Sequence, residues 1–247
     1  MVTPGGTHGA SHSLSSHRRR RIIKLFSIKI CGITRIVDAR IATLAGADAI
    51  GLNFYEYSSR FVDLVTAEKI AADPQTRACK VGVFVNATAE VVAQTADRLR
   101  LDWIQLHGDE PPEFVSALAP RRVIKAFRVG ADGLAAAGDH LAACRALGRL
   151  PDAVLLDAFQ SGEYGGTGQT ADWSVIGAGL PVLGGIPLVL AGGLTPFNVE
   201  DAVGLVHPAA VDTASGVESK PGIKDPLLVR AFVNTARKAL AQLGPAH

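Results

Sequence analysis

A cysteine in the stretch KICGIT, residues 29–34, stands between a β-like run and a glycine. Free cysteine is usually a buried core residue, whereas a thiol beside a lysine can have its pKa lowered and act as a base. Strand alternation puts Lys29 and Cys31 on one side and Ile28 and Ile30 on the other. Two interpretations of Cys31 follow: a buried structural thiol, or a general base at the end of a strand.

An aspartate closes the apolar run of the stretch AVLLDAF, residues 153–159. A carboxylate at such a position is costly to bury alone, so it is more often functional, or paired with a cation, than inert. Apolar neighbours would raise its pKa and suit it to general acid catalysis. Asp157 and Cys31, at the ends of two different strands, could then supply an acid and a base to one site.

Two strand ends that contain glycine predict a phosphate site. The stretch LVLAGGLTPFNV ends a strand at Gly192 and Gly193, and DTASGVE ends the next strand at Ser215 and Gly216. Glycine lets backbone amides approach an anion closely, and a following helical turn adds its positive end. Together the two stretches indicate a phosphorylated small-molecule substrate.

Further polar residues near strand ends are candidates for substrate contacts. Arg60 could pair with a substrate carboxylate through two parallel hydrogen bonds, or be a surface arginine. His107 and Asn53 are predicted to line the site, mainly through structural hydrogen bonds. Asp212 could orient either a loop amide or a substrate hydroxyl. The glycine-rich loop 162–168 fits a mobile flap or an ordinary loose loop, and it lacks the spacing of a nucleotide site.

The elements that must position these residues alternate between strand and helix. Eight short runs rich in β-branched residues begin at residue 27, each followed by a helical pattern or by room for one. They are SIKICG, AIGLNF, KVGVFV, WIQLHG, RVIKAFRV, AVLLDAF, PLVLAGG and AAVDTASG. This pattern predicts a single (β/α)8 barrel over residues 27–247, with the site at the ends of its strands. An open doubly wound sheet is the alternative, although it usually carries GxGxxG after the first strand.

Composition narrows the class of protein. The 247 residues hold 25 basic and 23 acidic side chains, and six of the basic ones lie in the first 29 residues. The remainder therefore carries about −4, which does not resemble a nucleic-acid surface. Residues 1–26 are predicted to be a disordered basic tail, with a transit peptide as the alternative. Three cysteines without a CxxC pair and no apolar run of membrane length favour a cytoplasmic protein that spans no membrane.

Seven stretches, in order from Lys29 to Asp225, resemble those of the phosphoribosylanthranilate isomerase family. They are KICGIT, GADAIGLNF with SSRFV, VGVFVN, QLHGDE, LLD with GGTG and DW, LAGGLTPFNV, and VDTASGVESKPGIKD. The resemblance implies that Cys31 is the general base and Asp157 the general acid. It also implies that Arg60 contacts the anthranilate carboxylate and that Gly192, Gly193, Ser215 and Gly216 hold the phosphate.

The implied reaction is an Amadori rearrangement of N-(5-phosphoribosyl)anthranilate in tryptophan biosynthesis, without a metal or an organic cofactor. The analogous isomerase of histidine synthesis is the main alternative, but its chemistry generally relies on two aspartates rather than a cysteine. A phosphosugar-binding barrel without catalysis and a nucleic-acid binder that uses the basic tail are the alternatives from other classes. The sequence carries no signal for the oligomeric state.

Overall fold

The computed structural model describes Met1 and residues 25–129, 133–157 and 173–244. The glycine-rich loop 162–168 lies outside these residues. So does the predicted tail, except for Met1, Leu25 and Phe26.

Eight parallel strands form a closed barrel in which each strand pairs with the next and the last pairs with the first. The strands are β1 Ile28–Ile30, β2 Ala49–Asn53, β3 Cys79–Phe84, β4 Trp103–Leu106, β5 Val123–Arg128, β6 Ala153–Asp157, β7 Leu188–Ala191 and β8 Ala210–Thr213. All eight predicted strands are confirmed. Because the sheet closes on itself, the open doubly wound alternative is wrong.

Helices alternate with the strands around the outside of the barrel. They are α1 Ile36–Ala45, α2 Leu64–Ala72, α3 Ala89–Leu99, α4 Glu113–Ala117, α5 Ala135–Ala146, α6 Trp173–Gly179, α7 Val199–Val206 and α8 Pro226–Gln242. Side chains that accept from backbone N–H groups fix where several of them begin: Asp63 caps α2, Thr88 caps α3 and Asp225 caps α8. In the described ranges, no helix is long and apolar enough to cross a membrane.

Strand alternation divides the core into two parts. Outward residues such as Ile28, Ile30 and Leu156 pack against the helices in one large apolar cluster. Inward residues, among them Ala49, Leu155 and Val189, form a second cluster that contains no helix residue. The lower part of the barrel is therefore filled by apolar side chains, as in a packed core rather than a pore.

A polar layer lies above this inner cluster. Lys29 is completely buried, and its Nζ donates to Asp212 Oδ2 and to Gln105 Oε1, both at 2.8 Å. Burial alone would lower the pKa of Lys29, but the negative charge of Asp212 and its hydrogen bond with the ammonium, with a smaller contribution from Cys31, outweigh burial, so the pKa is raised. The ammonium is therefore charged, and β1, β4 and β8 are joined through it.

Removal of this ammonium is expected to destabilise the fold. Lys29→Met leaves the Asp212 carboxylate buried without its cation, so the free energy of unfolding should fall by about 3–5 kcal/mol. Urea denaturation measures the loss. The double variant Lys29→Met/Asp212→Asn is the control, and most of the stability should return in it because no charge is left unpaired. A double variant that loses the sum of the two single losses would contradict this account.

Candidate active site

The predicted site residues lie at the carboxyl ends of the strands, on one face of the barrel. Cys31 directly follows β1, and its N–H donates to the carbonyl of Thr213 at 2.8 Å. His107 follows β4, and Asp157 ends β6 in register with Ala191 of β7. The other two cysteines are elsewhere: Cys79 begins β3 at the amino end, and Cys144 is buried in α5.

The Cys31 thiol is partly exposed and has cations around it. Burial raises its pKa above the ordinary value, and this effect exceeds the lowering by the ammonium groups of Lys29 and Lys224. The charge of Asp212 adds to the raised pKa. The sequence suggested that Lys29 lowers the pKa of Cys31. In the structure Lys29 does favour the thiolate, but the pKa of Cys31 is raised overall because the effect of burial is larger. The resting group is a thiol with two ammonium groups available to stabilise its charged form.

Asp157 lies opposite an imidazole. The Nε2 atom of His107 is 3.6 Å from Asp157 Oδ2, within ion-pair distance but longer than a hydrogen bond. The two side chains are similarly accessible, at 23% and 26% exposure. Both groups can therefore reach a molecule that enters the mouth.

The loop that follows β7 and the loop that follows β8, which contain the predicted phosphate-binding glycines, are in close contact. Gly192 and Gly193 adopt φ values of 91° and 66°, a left-handed conformation that favours glycine. Thr213 Oγ1 donates to the carbonyl of Leu194 at 2.6 Å, and a Cβ on Gly216 would lie 1.9 Å from the same oxygen. Only glycine fits at position 216, since the obstacle is backbone. In the described part of the chain, the N–H of Gly193 donates to no acceptor.

Arg60 is held by a buried carboxylate that the sequence analysis missed. Its Nε and Nη2 donate to Glu218 at 2.9 and 2.7 Å, and Lys224 Nζ donates to the same carboxylate at 2.7 Å. Burial alone would raise the pKa of Glu218, but the hydrogen bonds from Arg60 and Lys224 outweigh it and lower the pKa. A Cβ on Gly32 would lie 2.5 Å from Arg60 Cδ, so the arginine lies across the turn that follows Cys31.

Asn53 organises the loop that carries Arg60. Its Nδ2 donates to Ser58 Oγ at 3.0 Å, and its Oδ1 accepts from the N–H of Tyr55 at 2.9 Å. Ser58 Oγ also accepts from the N–H of Arg60 at 3.1 Å. The side chain of Asn53 therefore makes structural hydrogen bonds, and through Ser58 it positions Arg60 from the end of β2.

Two further residues with inward positions on their strands lie at this face of the barrel and were not predicted from the sequence. The alternation of inward and outward residues along each strand could have identified them. Gln105 lies two residues before His107 on β4, and its Nε2 is 2.7 Å from His107 Nδ1. Arg128 ends β5 beside Asp157 and is exposed. Asp212 adds an acceptor, because its Oδ1 is buried without a hydrogen-bond partner. Among the described residues, no group of three or more His, Cys, Asp or Glu could hold a metal ion.

Comparisons with known proteins agree with this geometry. The family model described as N-(5'-phosphoribosyl)anthranilate isomerase matches residues 28–235. The enzyme of that name from Geobacter sulfurreducens is 48% identical over 210 residues, which cover 85% of this chain and 98% of the relative. The one from Myxococcus xanthus is 46% identical over 211 residues, covering 85% and 95%.

Solved structures give the same result. The crystal structure of phosphoribosyl anthranilate isomerase from Thermotoga maritima matches with a TM-score of 0.75 and 37% identity, covering 87% of this chain and all of that one. A structure of such an isomerase in complex with reduced 1-(o-carboxyphenylamino)-1-deoxyribulose 5-phosphate matches with a TM-score of 0.72 and 35% identity over the same shares. The family model matches residues 28–235, which span nearly the whole barrel, and the matched relatives are covered almost completely. The chain therefore belongs to the N-(5'-phosphoribosyl)anthranilate isomerase family.

Proposed function

We propose that this chain converts N-(5-phosphoribosyl)anthranilate, an aminoaldose, into 1-(2-carboxyphenylamino)-1-deoxyribulose 5-phosphate in cytoplasmic tryptophan biosynthesis. The observation that carries the proposal is the placement of Cys31, above the buried ammonium of Lys29, at the same barrel mouth as Asp157. A thiol and a carboxyl group on different strands provide a base and an acid for one substrate. Family membership supports the same reaction class.

The reaction needs one proton donated and one removed. Asp157 protonates the ring oxygen of the furanose, the bond from C1 to that oxygen breaks, and the substrate nitrogen forms a Schiff base with C1. The Cys31 thiolate then removes the proton on C2. The electron pair of the C2–H bond forms a double bond between C1 and C2, and the π electrons of the Schiff base move to the nitrogen to give an enolamine. Tautomerisation of the enolamine gives the ketone. The substrate nitrogen is the electron sink, so the mechanism requires neither a metal nor an organic cofactor.

The charges around Cys31 suit a base that is generated for the reaction. The thiol is neutral at rest because burial raises its pKa. It becomes the base when it loses its proton to the solvent, and Lys29 and Lys224 stabilise the thiolate that forms. A thiolate in such surroundings is poorly solvated and therefore a strong base. The rate should depend on this ionisation, and kcat/KM should rise with pH until the thiolate is fully formed.

The remaining groups fit the two anionic ends of the substrate. Backbone amides around Gly192, Gly193, Ser215 and Gly216 are proposed to hold the phosphate, because these loops can approach an anion closely. Glu218 occupies the Nε and Nη2 side of Arg60, which leaves the Nη1 end for the anthranilate carboxylate.

Asp212 Oδ1 is a free acceptor for a substrate hydroxyl. Asn53 and His107 line the mouth. The only partner proposed is this small phosphosugar.

Substitution of the proposed base and acid should remove turnover without loss of the fold. Freshly made phosphoribosylanthranilate is mixed with purified protein, and the anthranilate fluorescence is followed. Cys31→Ala and Asp157→Asn should each lower kcat/KM by about 10²–10⁴-fold, the usual contribution of general acid or base catalysis. Both variants should still bind the reduced product analogue. Inactive but folded wild-type protein would overturn the proposed function, and the histidine-pathway aminoaldose would be the next substrate to test.

The thiol also depends on an empty space on the neighbouring strand. A Cβ on Gly51 of β2 would lie 2.6 Å from Cys31 Sγ and 3.0 Å from Cys31 Cα. Gly51→Ala should therefore displace the thiol and lower kcat by at least about tenfold, since misplacement by about 1 Å can cost about 10²-fold. Gly204→Ala in α7 is the matched control, because no atom beyond its chain neighbours and the backbone of its own helix lies within 4 Å of the added methyl. Equal turnover in both variants would show that the position of the thiol is not critical.

Arg60 is tested with two substrates. Arg60→Met should raise KM for phosphoribosylanthranilate by about 10–100-fold, the loss expected for a hydrogen-bonded ion pair. With the analogue that carries aniline in place of anthranilate, and therefore has no carboxylate, the KM of the same variant should equal that of wild type. Arg40→Met removes a surface arginine paired with Asp73 and should change neither KM. If Arg60→Met weakens both substrates equally, the arginine acts on the loop rather than on the carboxylate.

A further inference from the structure

A chain of hydrogen bonds runs through the barrel from Asp212 to His107. Lys29 Nζ donates to Asp212 Oδ2 and to Gln105 Oε1, both at 2.8 Å, and Gln105 Nε2 lies 2.7 Å from His107 Nδ1. The chain crosses the interior from β8 through β1 to β4 and ends at an imidazole that faces Asp157 of β6. It therefore connects the surroundings of the proposed base with those of the proposed acid.

The direction of each bond in this chain is determined by Lys29. An ammonium group donates and never accepts, so the amide atom of Gln105 that faces Lys29 must be the oxygen. The amide nitrogen then points to His107 Nδ1, and it can only donate. Nδ1 must accept, so in the neutral ring the proton is on Nε2. The buried ammonium in this way selects a tautomer on another strand.

We propose that Lys29 and Gln105 are positioning residues that hold His107 as the tautomer whose Nε2–H faces Asp157. The inference rests on the proposed function, in which Asp157 is the acid. Nε2 is 3.6 Å from Asp157 Oδ2, and catalytic hydrogen bonds that are long in a free enzyme often shorten when substrate binds. The opposite tautomer would place a lone pair against the carboxylate.

The selected tautomer has a specific use during ring opening. In the proposed function Asp157 carries the proton that goes to the substrate, and the Nε2–H of His107 faces the Oδ2 atom of that carboxyl group. As that proton leaves for the ring oxygen, the carboxylate becomes charged, and the N–H of His107 stabilises the charge. His107 keeps its own proton throughout, so the step needs no further donor or acceptor. The residues that exchange protons with the substrate remain Asp157 and Cys31.

Nitrogen NMR of the imidazole tests the proposal without any turnover. The full-length protein is labelled with ¹⁵N, and spectra are recorded about two pH units above the ordinary histidine pKa of about 6.5. His107→Gln identifies the signals of this residue among the seven histidines. In wild type, we expect the shift of an unprotonated nitrogen at Nδ1 and of a protonated nitrogen at Nε2. A protonated Nδ1 would overturn the proposal.

Gln105→Glu is the decisive variant because it changes one donor into an acceptor at nearly the same size. The new carboxylate accepts from Lys29 and can only accept from His107, so Nδ1 must become protonated. An unprotonated Nδ1 in this variant would overturn the relay. Gln105→Met removes the bond altogether and should give averaged shifts from both tautomers, which keeps the test valid if Gln105→Glu folds poorly.

Kinetics add a second readout with a separate meaning. Both Gln105 variants should lower kcat by about tenfold or more, the value of one hydrogen bond to a charged group, with KM changed much less. Wild-type protein that shows the predicted tautomer but no turnover would contradict the proposed function and leave the tautomer proposal standing. Active wild-type protein whose Gln105 variants keep full kcat would contradict the role of Lys29 and Gln105 and leave the proposed function standing.

Discussion

The rest of the site depends on one buried cation. Lys29 has no exposed surface, and a charge in such a place must be paired and fully hydrogen-bonded or it destabilises the protein. Asp212 supplies the opposite charge from β8, and Asp212 and Gln105 of β4 accept two of the three hydrogen bonds that the ammonium can donate. Gly51 leaves the space beside it, where a methyl group would lie 3.1 Å from Lys29 Cε. Four strands of the barrel are thus constrained by one side chain directly below Cys31.

Stability alone does not explain this arrangement. Replacement of a buried ion pair by apolar residues of similar volume is often neutral or stabilising. The inner cluster below Lys29 shows that this barrel can be filled by alanine, leucine and valine. A polar layer in place of an apolar one is therefore better explained by the mouth it supports. It supplies a cation under the thiol, an acceptor at Asp212 and a fixed amide beside His107.

The sequence predicts most of the fold because its signals are local. Eight β-branched runs and strict alternation were enough for the closed barrel and for the inward position of Lys29. Contacts between distant segments were not predictable in this way. Arg60 and Glu218 are 158 positions apart, so no local pattern in the sequence indicates that they form an ion pair. The direction of the Cys31 pKa shift was also wrong, since it depends on how much burial opposes the neighbouring cations.

The division between strands and loops explains why the positions of the proposed base and acid were easier to predict than those of the proposed binding groups. The proposed base and acid end strands, where the pleat fixes each side chain to within the geometry that catalysis needs. The groups proposed to bind the carboxylate and the phosphate lie on loops, whose conformation depends on contacts such as Thr213 with Leu194 and Arg60 with Glu218. The positions of the proposed base and acid therefore follow from the strands themselves, whereas the positions of the proposed binding groups depend on contacts between distant loops.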